Sequence, residues 1–225
     1  MRFSARDGAM TIVPVCDKGF RMNKMIALGC LGVAVLVGLV LLLVGVGGYN
    51  HLNTLNQATN SQWAQVQNVY QRRADLIPNL VQTVAGSANF EKSTLEAVTN
   101  ARASVGRVTI DASHAPEDAA KLQEYQQAQG QLSNALSHLL MVSENYPDLK
   151  SSRNFLDLQA QLEGTENRIS TERGRFNDTV QAYDTAIHNF PAVLYASMFG
   201  FKDKPYFQAD ATAQTAPSVH FDFTH

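Results

Sequence analysis

Residues 25–48 read MIALGCLGVAVLVGLVLLLVGVGG, 24 positions without a charged side chain. At about 1.5 Å per residue, a helix of this length crosses a hydrocarbon layer of ~30 Å with some tilt. A secretory leader is the competing reading, but its apolar region would be roughly half as long. No small-x-small cleavage site with a polar flank follows Val44. Leu28-Gly29-Cys30 makes a poor lipoprotein box, because it lies early in the run and follows Ala27 where a larger aliphatic is wanted. The stretch reads as a transmembrane helix.

Outward from it on the N-terminal side stand Lys18, Arg21 and Lys24, opposed only by Asp17; on the other side no Lys or Arg occurs before Arg72. The positive-inside rule then places the N-terminus in the cytoplasm and the bulk of the chain outside the cell membrane. Residues 1–24 are expected to be a short basic, disordered segment. Residues 1–21 show no helical or strand period, and Met22 or Met25 would make an ordinary start.

On the C-terminal side the apolar pattern changes from continuous to periodic. Leu52, Leu55, Thr59, Trp63, Val66, Tyr70, Arg73, Ile77, Val81 and Val84 recur at steps of three and four, one face of a helix that continues from the membrane. Pro78 interrupts it and predicts a kink or absorption by a neighbouring packing defect, and Gly86 is placed for a left-handed cap. A second helix carries Phe90, Leu95, Val98 and Val105, and a loop follows from Gly106 to Ala115. The third is predicted to begin at Pro116-Glu117-Asp118, with proline in the first turn and acids at the positive helix end. Its stripe is Leu122, Tyr125, Gln129, Leu132, Leu136, Leu139 and Val142, and Asn145-Tyr146-Pro147 stops it. The fourth, from about Ser151 to Asn189, shows Phe155, Leu158, Leu162, Ile169, Phe176, Val180, Tyr183 and Ile187. At about 55 Å it is too long for a compact globule. Each helix must bury one stripe against the others, which predicts an all-α chain: a transmembrane helix continuing into an elongated antiparallel bundle of about four helices. The domains expected are the basic segment 1–24, the membrane helix 25–48, the bundle 49–208 and a disordered tail 209–225, where Ala, Thr, Gln, Ser and Pro dominate.

Composition narrows the function classes. Ala, Leu, Gln and Asn are abundant through the bundle, favouring helix over strand. A formal net charge of −2 gives no footprint for nucleic acid. Cys16 and Cys30 stand before and within the apolar run and do not form a disulfide framework. Six histidines (His51, His114, His138, His188, His220 and His225) share no ligand spacing, and none follows a Glu by three. No Gly-x-Ser-x-Gly occurs, and neither Cys is placed as a nucleophile. Glu163 and Glu166 share a helix face and are the nearest approach to an acid/base pair. No catalytic, metal or cofactor residue is assigned.

What stands out is charge inside the stripes. Arg73 lies in the first, flanked by Arg72 and Asp75; Arg102 lies between Val98 and Val105; Thr165/Glu166 and Glu172/Arg173 continue the period of the fourth. Arg73, Arg102, Glu166 and Arg173 are expected at one level of the bundle, with Asp75 and Glu163 as neighbours in a candidate polar layer. Such a layer either fixes helix register or, given its surplus arginine, holds an anionic ligand or partner segment. Trp63 and Tyr70 read as core. Residues 190–201, FPAVLYASMFGF, are apolar nearly all round. Phe190, Pro191, Leu194, Phe199 and Phe201 either pack on the bundle end or form an interfacial or partner-binding patch.

Several motifs occur in order. They are Arg72-Arg73-Ala74-Asp75-Leu76-Ile77-Pro78-Asn79-Leu80-Val81, Thr99-Asn100-Ala101-Arg102, Tyr146-Pro147-Asp148-Leu149-Lys150, Asn154-Phe155-Leu156-Asp157-Leu158-Gln159 and Leu162-Glu163-Gly164-Thr165-Glu166-Asn167-Arg168-Ile169. Arg173, Phe176-Asn177, Tyr183, Phe190-Pro191, Gly200-Phe201 and Tyr206-Phe207 continue the series. Over residues 49–208 this string resembles the LemA family. Phe176 departs from the family's tyrosine, and Asp184 from its common asparagine. The resemblance implies an N-terminal membrane helix and an elongated helical bundle, without an established activity. It also implies a short N-terminus outside, against which Lys18, Arg21 and Lys24 argue.

The leading expectation is a non-catalytic scaffold or adaptor of the bacterial inner membrane, its bundle on the extracytoplasmic side. Its partners would be copies of itself, as a homo-oligomer, or a membrane protease or stress-response complex. The rival class is a ligand-binding or sensing module that uses the arginine layer.

Overall fold

The computed structural model describes residues 18–87 and 90–209. Residues 1–17 of the expected basic segment and 210–225 of the expected tail lie outside them. The elements are α1 (Lys18–Ala85), α2 (Lys92–Arg107), α3 (Ala119–Ser143), the single turn α4 (Pro147–Lys150), α5 (Arg153–His188) and a 3-10 turn at Ala192–Leu194. Among the described residues there is no strand. The chain divides into two units, residues 1–48 and 49–225.

In the first unit α1 begins at Lys18, so residues 18–24, expected to be irregular, are helical. Each residue added to a formed helix gains a hydrogen bond without a new nucleation cost, so the apolar helix propagates back through them. From Leu28 to Leu39 and from Leu42 to Val46 the large apolar side chains are exposed around the helix. This is the helix long and apolar enough to cross a membrane.

In the second unit α1, α2, α3 and α5 run up, down, up and down. Thr59 donates to the Thr179 carbonyl (3.4 Å) and Arg73 pairs with Glu166 (2.9 Å), so α1 and α5 are antiparallel. The Ala115 N–H donates to Asn60 Oδ1 (3.0 Å), Tyr125 Oη to Gln67 Oε1 (3.2 Å), and Arg73 to Ser133 Oγ (2.8 Å), so α1 and α3 run parallel. Most positions of the stripes read from the sequence are buried, but of the second stripe only Val98 is, with Phe90, Leu95 and Val105 half-buried. In α1 all but Leu55 and Val81 are buried, joined by Leu80; in α3 all but Val142; in α5 all but Leu158.

Two helix ends differ from their expected form. Gly86 does not take positive φ. The α1 terminus closes instead through Gly86 N–H to Gln82 O (3.2 Å) and Ser87 N–H to Val84 O (3.0 Å), a tightening into the i−3 pattern. α3 starts at Ala119 because Asp118 is its N-cap: extended at φ −99° and ψ 111°, its carboxylate accepts from the Ala120 and Lys121 amides. Gly200 is the glycine at positive φ (+82°). There Phe201 N–H reaches back to Ala196 O (3.0 Å), turning the chain into residues 201–209.

Those residues run back along α5 as an extended strap. The Lys204 amide donates to Asp184 Oδ1 (3.2 Å), and Asn177 clamps Phe207 from both sides, its Nδ2 donating to the carbonyl (3.0 Å) and its Oδ1 accepting the amide (2.9 Å). Phe207 is thereby inserted among Trp63, Tyr125 and Phe176, its ring 6.0 Å from Trp63 and 5.5 Å from Phe176.

Pro78 stays inside α1. Lacking an N–H, it cannot satisfy the carbonyl four residues back, that of Ala74. Arg102 of α2 supplies the missing donor, Nε to Ala74 O at 3.1 Å. Arg102→Ala is therefore expected to cost about 1 kcal/mol, and less than half of that once Pro78→Ala has restored the backbone N–H. A double-mutant cycle by thermal melting of the full chain in mild detergent measures this; equal costs in both backgrounds would show that the two residues are unconnected.

Candidate functional site

Arg73 is 1% exposed although it carries a charge. Removing a guanidinium from water costs several kcal/mol unless hydrogen bonds and a counter-charge replace the lost hydration. Here they come from two other helices. Nη1 donates to Ser133 Oγ (2.8 Å) of α3 and to Glu166 Oε2 (2.9 Å) of α5. Nη2 donates to Gln129 Oε1 and lies 3.5 Å from the Gln129 carbonyl oxygen. Ser133 Oγ donates onward to Glu166 Oε1 (3.1 Å), and the guanidinium carbon sits 5.3 Å over the Tyr70 ring. Nε is buried without a hydrogen-bond partner.

Of the residues expected in one layer, only Arg73 and Glu166 meet. Arg102 lies on the exposed face of α2 and serves Ala74. Asp75 is exposed and accepts from Gln71 (2.7 Å) within its own helix. Glu163 is exposed and borders a groove with Leu136, Leu140 and Leu162. Arg173 is half-buried, with its guanidinium carbon 4.8 Å over the Phe207 ring and Nη2 donating to Gln208 O (3.0 Å), so it holds the strap. The cause is helix phase: one residue along an α-helix turns the side chain by about 100°, and Thr165, not Glu166, points inward on α5. The Glu166 side chain is 50% exposed and reaches Arg73 from the rim.

Gln129 and Ser133 escaped assignment to the layer. Gln129 had a signal, being polar in an otherwise apolar stripe. Ser133 had none. The strap contacts of Asn177, Asp184 and Lys204 also lacked one, because an extended segment packed on a helix has no period to read. Lys204 is buried, its ammonium 5.5 Å over the Tyr183 ring, and burial pushes its pKa down. The same desolvation raises Asp184.

Beside Arg73 opens a cleft of about 600 Å3 lined by Tyr70, Gln126, Gln129, Ser133, Glu166 and Arg173. Its walls are mainly amides, which bind by hydrogen bonds and do not transfer protons near neutral pH. Among the described residues no group of three His, Cys, Asp or Glu is placed to share a metal ion.

Because Glu166 is half in water, Glu166→Ala leaves Arg73 with Gln129, Ser133 and incoming solvent. The expected loss is about 1–2 kcal/mol, below the roughly 3–5 kcal/mol of breaking a fully buried pair, measured by denaturant melting. A loss of the larger size would show that the pair closes away from water. Burial pushes the Tyr70 phenol up to about 12. A free phenol titrates near 10. The stability tied to its protonated form is therefore complete below about pH 10 and falls away as pH rises to about 12. Far-ultraviolet circular dichroism should show unfolding setting in across that window, delayed in Tyr70→Phe; an unchanged alkaline transition in that variant would assign the loss elsewhere.

The magnetosome protein MamQ 2 of Paramagnetospirillum magneticum is 25% identical over 186 residues, covering 74% of this chain and 67% of the relative. MamQ of Magnetospirillum gryphiswaldense is 23% identical over the same shares. Protein LemA of Metamycoplasma hominis is 22% identical over 166 residues, 74% of this chain and 71% of the relative. The LemA family model matches residues 62–221, a span that holds the Arg73 layer, the Pro78–Arg102 junction and the Phe207 strap. The chain belongs to the LemA family.

Proposed function

We propose that this protein is a non-catalytic, membrane-anchored helical scaffold or adaptor of the bacterial envelope that acts by protein–protein contact. The observation that carries this reading is the internal use of the buried charge: the Arg73 guanidinium is held by Glu166, Ser133 and Gln129 of its own chain, as a register-fixing layer would be. The exposed apolar helix of residues 28–46 supports an anchor. The MamQ relatives are named as magnetosome proteins and not for a reaction. In this reading Lys18, Arg21 and Lys24 keep the N-terminus in the cytoplasm and the bundle lies outside the inner membrane. Its partners are copies of itself or a membrane protease or stress-response complex.

A second reading, a binding or sensing module for an anionic ligand, is favoured by one feature: the unpartnered Nε of Arg73, close to an amide-lined cleft. The two differ in what Arg173→Gln does. It removes a cation from the cleft wall together with one strap contact, Nη2 to Gln208 O; where melting shows the fold intact, a scaffold keeps its partner crosslinks and an anion site loses its ligand.

Alkaline phosphatase fused after Gln208 should be active in cells, and a cytoplasmic reporter at the same place silent; the reverse pattern would overturn the topology. Crosslinking in native membranes followed by mass spectrometry should capture a defined protein set, and recovery of the chain alone and monomeric would contradict a scaffold.

A further inference from the structure

The segment that follows α5 is split between two environments. Ala192 and Ala196 are buried against Leu52, Tyr183 and Ile187. That contact turns Phe190, Leu194, Met198 and Phe199 outward, 81%, 68%, 82% and 55% exposed. Single exposed apolar side chains are ordinary on a protein surface, but four large ones within ten residues mark a contact surface. Ring contacts and a turn hold this plate together. Tyr195 and Phe199 meet edge-on (6.0 Å), and the Gly200 turn pins Phe201 over Tyr183 (6.4 Å).

Its position says what covers it. Tyr49 packs against Phe199 and Phe201, ring centroids 5.3 and 5.6 Å apart. Tyr49 is also the residue directly after Gly48, where the apolar unit ends. Successive Cα atoms are about 3.8 Å apart, and the interfacial layer on each side of the hydrocarbon is roughly 5–7 Å deep. Wherever Gly48 leaves the hydrocarbon, Tyr49 and the rings on it therefore stand at headgroup depth, whatever the direction of the helix axis. The composition agrees: aromatic, Leu and Met side chains with the exposed Lys202 beside them are what such a depth accepts.

We propose that residues 190–201, with Tyr49, form a lipid-facing plate that seats this end of the bundle in the interfacial layer of the bilayer. The proposal rests on the reading of residues 25–48 as a membrane anchor. The anchor brings the lipid surface to the plate at high effective concentration, whereas a second copy must be recruited.

The test uses the full chain in nanodiscs loaded with one copy each, with lipids brominated either near the carbonyls or at the chain ends. The native Trp63 is buried in the bundle and serves as an internal reference. Leu194→Trp and, separately, Phe190→Trp add a second emission expected to be blue-shifted and quenched by carbonyl-level bromine, with the Trp63 contribution unchanged. Leu36→Trp, quenched by chain-end bromine, reports the anchor itself. If Leu36→Trp is quenched and neither plate variant is, the plate proposal is overturned while the anchor stands. In that case light scattering in detergent that shows a dimer would make a second copy the occupant. If Leu36→Trp is not quenched, the anchor reading falls and the plate with it.

Discussion

The bundle depends on one buried guanidinium. Arg73 sits in the middle of an apolar stripe, and folding must hydrate it with protein groups or lose several kcal/mol. The groups that do so lie on α3 and α5, so only one relative sliding of three helices satisfies it. A purely apolar stripe would accept a shift by one turn at little cost. The ionic layer makes such a shift expensive, the same use that single polar residues have at coiled-coil seams. One turn further along α1 a second such device fixes α2: Pro78 leaves the Ala74 carbonyl without a donor, and Arg102 reaches across to supply it. Two arginines thus set the register of three helices against the first.

Below that layer the bundle is closed by aromatic packing. Trp63, Tyr125 and Phe176 leave a gap that Phe207 fills from the strap, and Asn177 holds the strap's backbone as a neighbouring strand would. The strap ends at Gln208, where Arg173 and Gln126 grip the backbone carbonyl (3.0 and 2.7 Å). Phe207 of the strap is thus part of the core, and the strap follows directly on the apolar residues 190–201.

Most of the fold was legible because its elements are long and periodic. Nearly every buried position of α3 and α5 can be read from steps of three and four. Pro78 was legible as an interruption, but it suggested a kink or a packing defect, and the donor that Arg102 supplies to the Ala74 carbonyl needed the structure. The candidate site was legible only in part. Arg73 and Glu166 are brought together, but placing Arg102 and Arg173 with them assumed that a charge near a stripe lies in it. A 100° step per residue makes that inference fail at the stripe's edge. The strap was invisible for a different reason: nine extended residues carry no period, and only their order of motifs hinted that Phe207 has a fixed place. The plate was left open between packing and exposure, and the structure shows that it does both, alanines inward and large side chains outward.

In this account the polar layer fixes the bundle's geometry, and the work is done by surfaces that the geometry presents. The most direct test replaces the layer by apolar residues of similar size, Arg73→Met, Gln129→Leu and Glu166→Leu together, in the full chain in its native membrane. Such replacements of buried ion pairs are often neutral or stabilising. Expected are retained helical content and a melting temperature no lower than that of the native chain, but a register that is no longer unique, so that a disulfide between Thr59→Cys and Thr179→Cys, positions that meet in the native register, forms in a smaller fraction of chains. A triple variant that melts normally and forms that disulfide as completely as the native chain does would contradict a register-fixing role for the layer.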